Sequence, residues 1–147
     1  MPDREAVRRH LLALVSDISR LKKHTPCTPA QLQRNPDLLW ILERGLYLCI
    51  QNLLDVFTHI IAADLNEQWD SYSDAAGVLQ KHGVLSADQG QLLNKMIGLR
   101  NRLTHDYLTL DADILLDLVN SRLDDFLVFA EIVSEYCDIS LPEAHGI

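Results

Sequence analysis

Between positions 100 and 107 the chain reads Arg100-Asn101-Arg102-Leu103-Thr104-His105-Asp106-Tyr107. A permanent cation, a group that titrates near neutrality and a phenol fall within one short stretch. Arg presents a planar fork of N–H donors that matches phosphate oxygens. His takes up and returns a proton near neutral pH. Together they suit work on a phosphodiester, with no metal needed.

RNA carries its own nucleophile, the 2′-hydroxyl beside each phosphate. A protein need only remove that proton, stabilise the charged transition state and protonate the departing 5′-oxygen. On this reading Arg100 and His105 are the catalytic residues. Arg100 holds the phosphate and His105 moves the protons. The products would be a 2′,3′-cyclic phosphate and a 5′-hydroxyl. One His cannot easily be base and acid at once, so two copies of His105 at one cleft of a two-fold dimer would solve the problem.

Geometry constrains this scheme. Successive helical residues turn by about 100°, which sets positions 100 and 105 about 140° apart on an ideal helix. Two routes bring them together. Either the helix ends between Leu103 and His105, or residues from two subunits share a site. Thr104, His105 and Asp106 are poor helix formers in succession, so loosening is expected here.

The elements that must carry this cluster read as helices. Five Pro and six Gly punctuate 147 residues, 48% of them hydrophobic and 23% charged, and the apolar positions recur mostly at helical spacing. An all-α fold is expected, as one domain over 1–139 with a loose tail over 140–147. The first helix spans about Asp3 to Lys23 on a stripe of Val7, Leu11, Leu14, Val15, Ile18 and Leu21. Two prolines in Thr25-Pro26-Cys27-Thr28-Pro29 break it, and a short turn follows around Ala30 to Arg34. Asn35-Pro36 opens a long helix to about Ala63, with Asn35 as cap. Its apolar residues cover more than one face, so it belongs at the centre of the bundle. Ser71 to His82 is a shorter helix ended by Gly83. Ser86-Ala87-Asp88-Gln89 has capping-box form and opens a helix to about Leu103. A last helix runs from near Asp111 to Tyr136.

The net charge of −8 counts against a general nucleic-acid binder. Attraction must be local. Lys95, Arg100 and Arg102 form a basic island ahead of His105, and Lys95, Asn101 and Arg102 are the candidate substrate contacts. Acidic residues gather after Asp106. Cys27, Cys49 and Cys137 form no CxxC pair, which fits reduced thiols and gives no zinc site or disulfide framework. The charged start, Met1 to Glu5, is unlike a signal peptide, and no apolar run was expected to span a bilayer. A cytoplasmic protein with no membrane partner, no cofactor and no metal is expected.

Structural readings compete with each of these roles. Arg100 can pair with Asp55 or Asp106, His105 can cap its helix, and Tyr107 can be a core tyrosine. Asp55 and His59 fall one turn apart; the simplest role is a hydrogen-bonded polar pair, with Asp55 supporting Arg100. Trp40, Trp69 and Tyr72 could stack on bases, although core packing or an interface suits Trp40 better.

Arg100, His105 and Tyr107 match the R-x4-H-x-Y signature of the HepT-like HEPN ribonuclease toxins. The segment Glu43 to Ala62 resembles that family's long helix, with Asp55 and His59 in its D-x-x-x-H placement. Ser71 to Asp74 and Leu79 to Leu85 resemble its middle segment, and Met96 to Asn101 leads into the signature. The resemblance covers roughly Leu38 to Phe129. It implies an antiparallel HEPN bundle of about five helices, a homodimer and a metal-independent endoribonuclease acting on tRNA or mRNA. It also implies a type VII-like toxin–antitoxin pair. An MNT-type nucleotidyltransferase antitoxin would transfer AMP to Tyr107, adding charge and bulk beside the cleft. The alternative is a non-catalytic HEPN adaptor that binds nucleotide or substrate for a partner nucleotidyltransferase.

Overall fold

A computed structural model describes residues 2–105 and 112–141, the side chain of His105 excepted. The described residues form seven α-helices: α1 (Arg4–Lys22), α2 (Pro29–Arg34), α3 (Pro36–Ile60), α4 (Tyr72–Lys81), α5 (Ala87–His105), α6 (Ala112–Ser121) and α7 (Asp124–Cys137). A π-helical turn, Ile61–Leu65, extends α3.

Local chemistry sets most boundaries. Asp3 caps α1, its Oδ1 accepting from the N–H groups of Glu5 and Ala6 at 3.1 and 3.3 Å. The expected capping box at α5 is present. Ser86 Oγ accepts from Gln89 N at 3.2 Å, and Gln89 Oε1 accepts from Ser86 N at 2.8 Å. Thr28 and Gln31 build the same device at α2. Asn35 stands at the cap position of α3, but its side chain makes no cap bond; its N–H instead closes α2 onto Gln31 O. Gly83 takes φ +75°, which only glycine adopts without strain. The N–H groups of Gly83 and Val84 then return to the carbonyls of Gln80 and Leu79, satisfying the end of α4.

α3 is the central element and packs against each of the other helices. It buries Leu42, Leu46, Cys49, Ile50, Leu53, Leu54, Val56, Phe57 and Ile60. Each such side chain removed from water contributes roughly 1.5–3 kcal/mol before the entropy of ordering is subtracted. Phe57 meets Phe129 of α7 edge to face, centroids 5.9 Å apart. At Gly45 a Cβ would fall 2.5 Å from Leu21 Cδ2, so the missing side chain lets α1 seat against α3. Contrary to the sequence expectation, residues 36–65 are long and apolar enough, by length and composition, to cross a membrane. Their place at the centre of the bundle accounts for that apolarity.

The expected last helix is two. α6 ends at Ser121 and α7 begins at Asp124. Asn120 causes α6 to be held across the fold: its Oδ1 accepts from Cys27 N and its Nδ2 donates to Cys27 O, both at 2.8 Å. The chain then turns through Arg122 and Leu123, Arg122 Nε donating to Asp125 Oδ2 at 2.8 Å. Leu123 and Phe126 thereby stay buried on either side of the break. The split, with the short α2, raises the helix number above the expected five or so. Asp111 and the tail beyond Leu141 lie outside the described residues.

Cys27, Cys49 and Cys137 are buried free thiols. Burial pushes each of them above the ordinary thiol range, so they are poor nucleophiles.

Candidate active site

Tyr47, Gln51 and Asp55 recur along one face of α3, four residues apart. They form the wall against which α5 sets Arg100. The guanidinium is held by a relay. Arg100 Nε donates to Gln51 Oε1 at 3.0 Å, and Gln51 Nε2 donates to Asp55 Oδ1 at 2.8 Å. Gln51 Nε2 also lies 3.4 Å from the Tyr72 hydroxyl. Aromatic faces complete the seat, with the Arg100 Cζ 5.0 Å from the Tyr72 ring centroid and 5.9 Å from that of Tyr47. Arg100 Nη1 donates to Asn101 Oδ1 at 3.2 Å. Among the described residues nothing bonds Nη2, which leaves that donor for a ligand.

Gln51 has a chemical consequence. A carboxylate bonded directly to Arg100 would cancel its charge. The neutral amide fixes the guanidinium and sets the Asp55 charge one residue further back. Asp55 thus supports Arg100 through Gln51 and does not pair with it, and Gln51 is a candidate site residue that the sequence reading overlooked. Its signal was present: a polar position four residues before Asp55 on an otherwise apolar helix.

His59 does not join Asp55. Its Nε2 accepts from Asp3 N at 2.9 Å, at the start of α1. Among the described residues no group of three or more His, Cys, Asp or Glu side chains is disposed to hold a metal.

Asn101 is brought to Arg100, but Lys95 and Arg102 are not. Those two line a groove of about 750 Å³ between α5 and α6, facing Asp113, Ile114 and Asp117. They lie seven residues apart and therefore share a face of α5 away from Arg100. The acidic start of α6 makes this a mixed-charge surface and not a plain phosphate cradle.

α5 stays helical through His105, so the expected loosening does not occur at Thr104 or His105 and the chain does not turn back before that residue. Thr104 fits the helix by returning its hydroxyl to Arg100 O at 3.0 Å. Of the two routes joining Arg100 and His105 the first is therefore closed. Asp106 and Tyr107 lie outside the described residues.

Beside Arg100 a second cleft, of about 350 Å³, opens between α3 and the end of α5. Trp40, Glu43, Arg44 and Tyr47 form one side of it, and Leu103 and Thr104 the other. Trp40 is 73% exposed, which rules out core packing within the chain, one of the two roles expected for it, and leaves the interface role open. Burial pushes the Glu43 carboxyl above its ordinary value. Arg44 lies over the Tyr47 ring at 5.4 Å, and Trp69 stacks on Tyr72 at 5.6 Å.

The described residues thus form an all-helical bundle built on one long central helix, with an arginine seated against it. The structure resembles that of the tri-AMPylated Shewanella oneidensis HEPN toxin in complex with MNT antitoxin, with TM-score 0.82, 22% identity and coverage of 90% of this chain and 99% of that one. It also resembles the Bacillus subtilis cytosolic protein YutE, of unknown function, with TM-score 0.78, 21% identity and coverage of 97% of each chain. The chain belongs to the ribonuclease HepT-like family, whose profile matches residues 14–133. The mRNA nuclease HepT of Shewanella oneidensis is 30% identical to it over 89 residues, which are 60% of this chain and 67% of that protein.

Proposed function

We propose that this protein is an endoribonuclease toxin that cleaves RNA by attack of the 2′-hydroxyl on the neighbouring phosphate. A base removes the 2′-oxygen's proton as the new P–O bond forms. The P–O5′ bond breaks, and an acid protonates the leaving oxygen. His105 moves the protons and Arg100 stabilises the charge on phosphorus. The observation that carries this reading is the seat of Arg100, a guanidinium fixed by an amide and two rings, with Nη2 unclaimed among the described residues. The family, and a relative that is an mRNA nuclease, support RNA as the substrate class.

The active form is a homodimer, because a helical α5 separates positions 100 and 105 within one chain. The chain acts in the cytoplasm as a single HEPN domain over 1–139. Lys95, Asn101 and Arg102 guide RNA from two faces of α5. The purified protein is expected to shorten RNA in the presence of EDTA, leaving 2′,3′-cyclic phosphate ends, as read by gel and by mass spectrometry of the products. Nucleotide binding without cleavage would favour the adaptor role, and loss of cleavage on chelation would require a metal.

An MNT-type nucleotidyltransferase is the proposed partner, and Tyr107 the acceptor of AMP. The HEPN toxin of similar fold carries AMP groups and is bound to such an antitoxin. Coexpression with an MNT-type nucleotidyltransferase antitoxin is expected to raise the intact mass by whole AMP units, and Tyr107→Phe to abolish the increase. An unchanged mass in the wild type would remove this mode of control.

A further inference from the structure

The cations and rings around Arg100 do not stop at the active site. Trp69 stacks on Tyr72, Tyr72 faces Arg100, Arg100 faces Tyr47, and Tyr47 faces Arg44, with each step 5.0–5.9 Å long. Trp40 stands one helical turn before Arg44 on the same side of α3, its ring largely in water. The line thus leads out of the active site and ends on an open aromatic face beside a cleft.

We propose that Trp40 is a stacking platform for an unpaired RNA base, so that substrate enters as a single strand along α3. This inference rests on the ribonuclease reading above. Alternating rings and guanidinium groups are what single-stranded nucleic acid requires, because every base has a π face and every linkage a charge. A duplex offers no free base face to Trp40. The 350 Å³ cleft beside Trp40 also sets the polarity of binding. Glu43 lines the cleft, and its carboxylate repels a phosphate but accepts from the amino edge of a base. Exposed Arg44 takes the phosphate at the rim. Ile41 beside Trp40 is also exposed, so a protein partner is the competing occupant, but Glu43 and Arg44 at the cleft match the edge and the phosphate of a nucleotide better than an apolar anchor.

The test uses a short alternating cytidine–adenosine oligoribonucleotide with 2′-O-methyl sugars, which binds but cannot be cleaved. In a Trp69→Phe background Trp40 is the sole indole. The oligonucleotide is expected to quench its fluorescence saturably, and a duplex of the same length is not. Trp40→Ala is expected to weaken single-strand binding about tenfold, and Trp40→Phe to restore most of it. Because Trp40 is so exposed, both variants should fold, as circular dichroism would verify. Equal affinity of wild type and Trp40→Ala would overturn the proposal. So would a Trp40→Ala protein that loses its partner copy or its nucleotidyltransferase while RNA affinity is unchanged. Quenching through Trp40 in a protein that cuts no RNA would uphold the track and remove the nuclease reading instead.

Discussion

Arg100→Ala is expected to slow RNA cleavage by about 10²–10³-fold, the usual loss when a preorganised donor to a charged transition state is removed. The size follows from the seat. Gln51, Tyr47 and Tyr72 hold the guanidinium before substrate arrives, so no reorganisation is needed as charge grows on the phosphate. Arg100→Lys should recover only part of the rate. An ammonium keeps the charge but cannot bond Gln51, lie between two rings and present a further planar donor together. Gln51→Leu should fall between wild type and Arg100→Ala, at about tenfold, because it frees Arg100 without deleting it. Single-turnover rates on one RNA rank the series. Arg100 is half-buried, so the folded state should survive each change. An Arg100→Ala protein cutting at the wild-type rate would reject the assigned centre.

The second large effect concerns His105. His105→Ala is expected to cost about 10²–10⁴-fold, the range for positioned proton transfer. The informative experiment mixes two inactive proteins, Arg100→Ala and His105→Ala, and allows subunits to exchange. If Arg100 of one protomer works with His105 of its partner, mixed dimers contain one intact pair and activity returns. If each chain supplies its own pair, every site in the mixture is damaged and activity stays absent. Continuous helix through His105 favours return. Failure of the mixture, with exchange demonstrated by mass, would place both residues in one protomer and demand a bend in α5.

The helices were largely legible because their signals are local. The Ser86–Gln89 box, the Gly83 stop and the apolar run of the central helix depend on residues within a few positions of each other. The break between α6 and α7 was not legible. It goes with the bonds of Asn120 to Cys27, ninety-three positions away in sequence. The site divides in the same manner. Arg100 stood out by its motif, but its anchor Gln51 lies forty-nine positions upstream and belongs to no motif of its own. Lys95 and Arg102 looked like neighbours of Arg100 because sequence distance hides helical phase. Trp40 suited either core packing or an interface, because exposure depends on which neighbours the fold supplies, and only the core role is excluded.

Setting the Asp55 charge one residue behind Gln51 has a consequence, on the ribonuclease reading, for how RNA arrives. The whole molecule carries a formal charge of −8, so at long range it repels a polyanion. At physiological ionic strength that repulsion fades beyond a Debye length of about 8 Å, whereas a half-sheltered guanidinium is screened less. Encounter is therefore unassisted by steering, and retention depends on contacts made at touching distance. On the ribonuclease reading, such a protein is poorly suited to sweeping up bulk RNA and well suited to strands that linger long enough to fit.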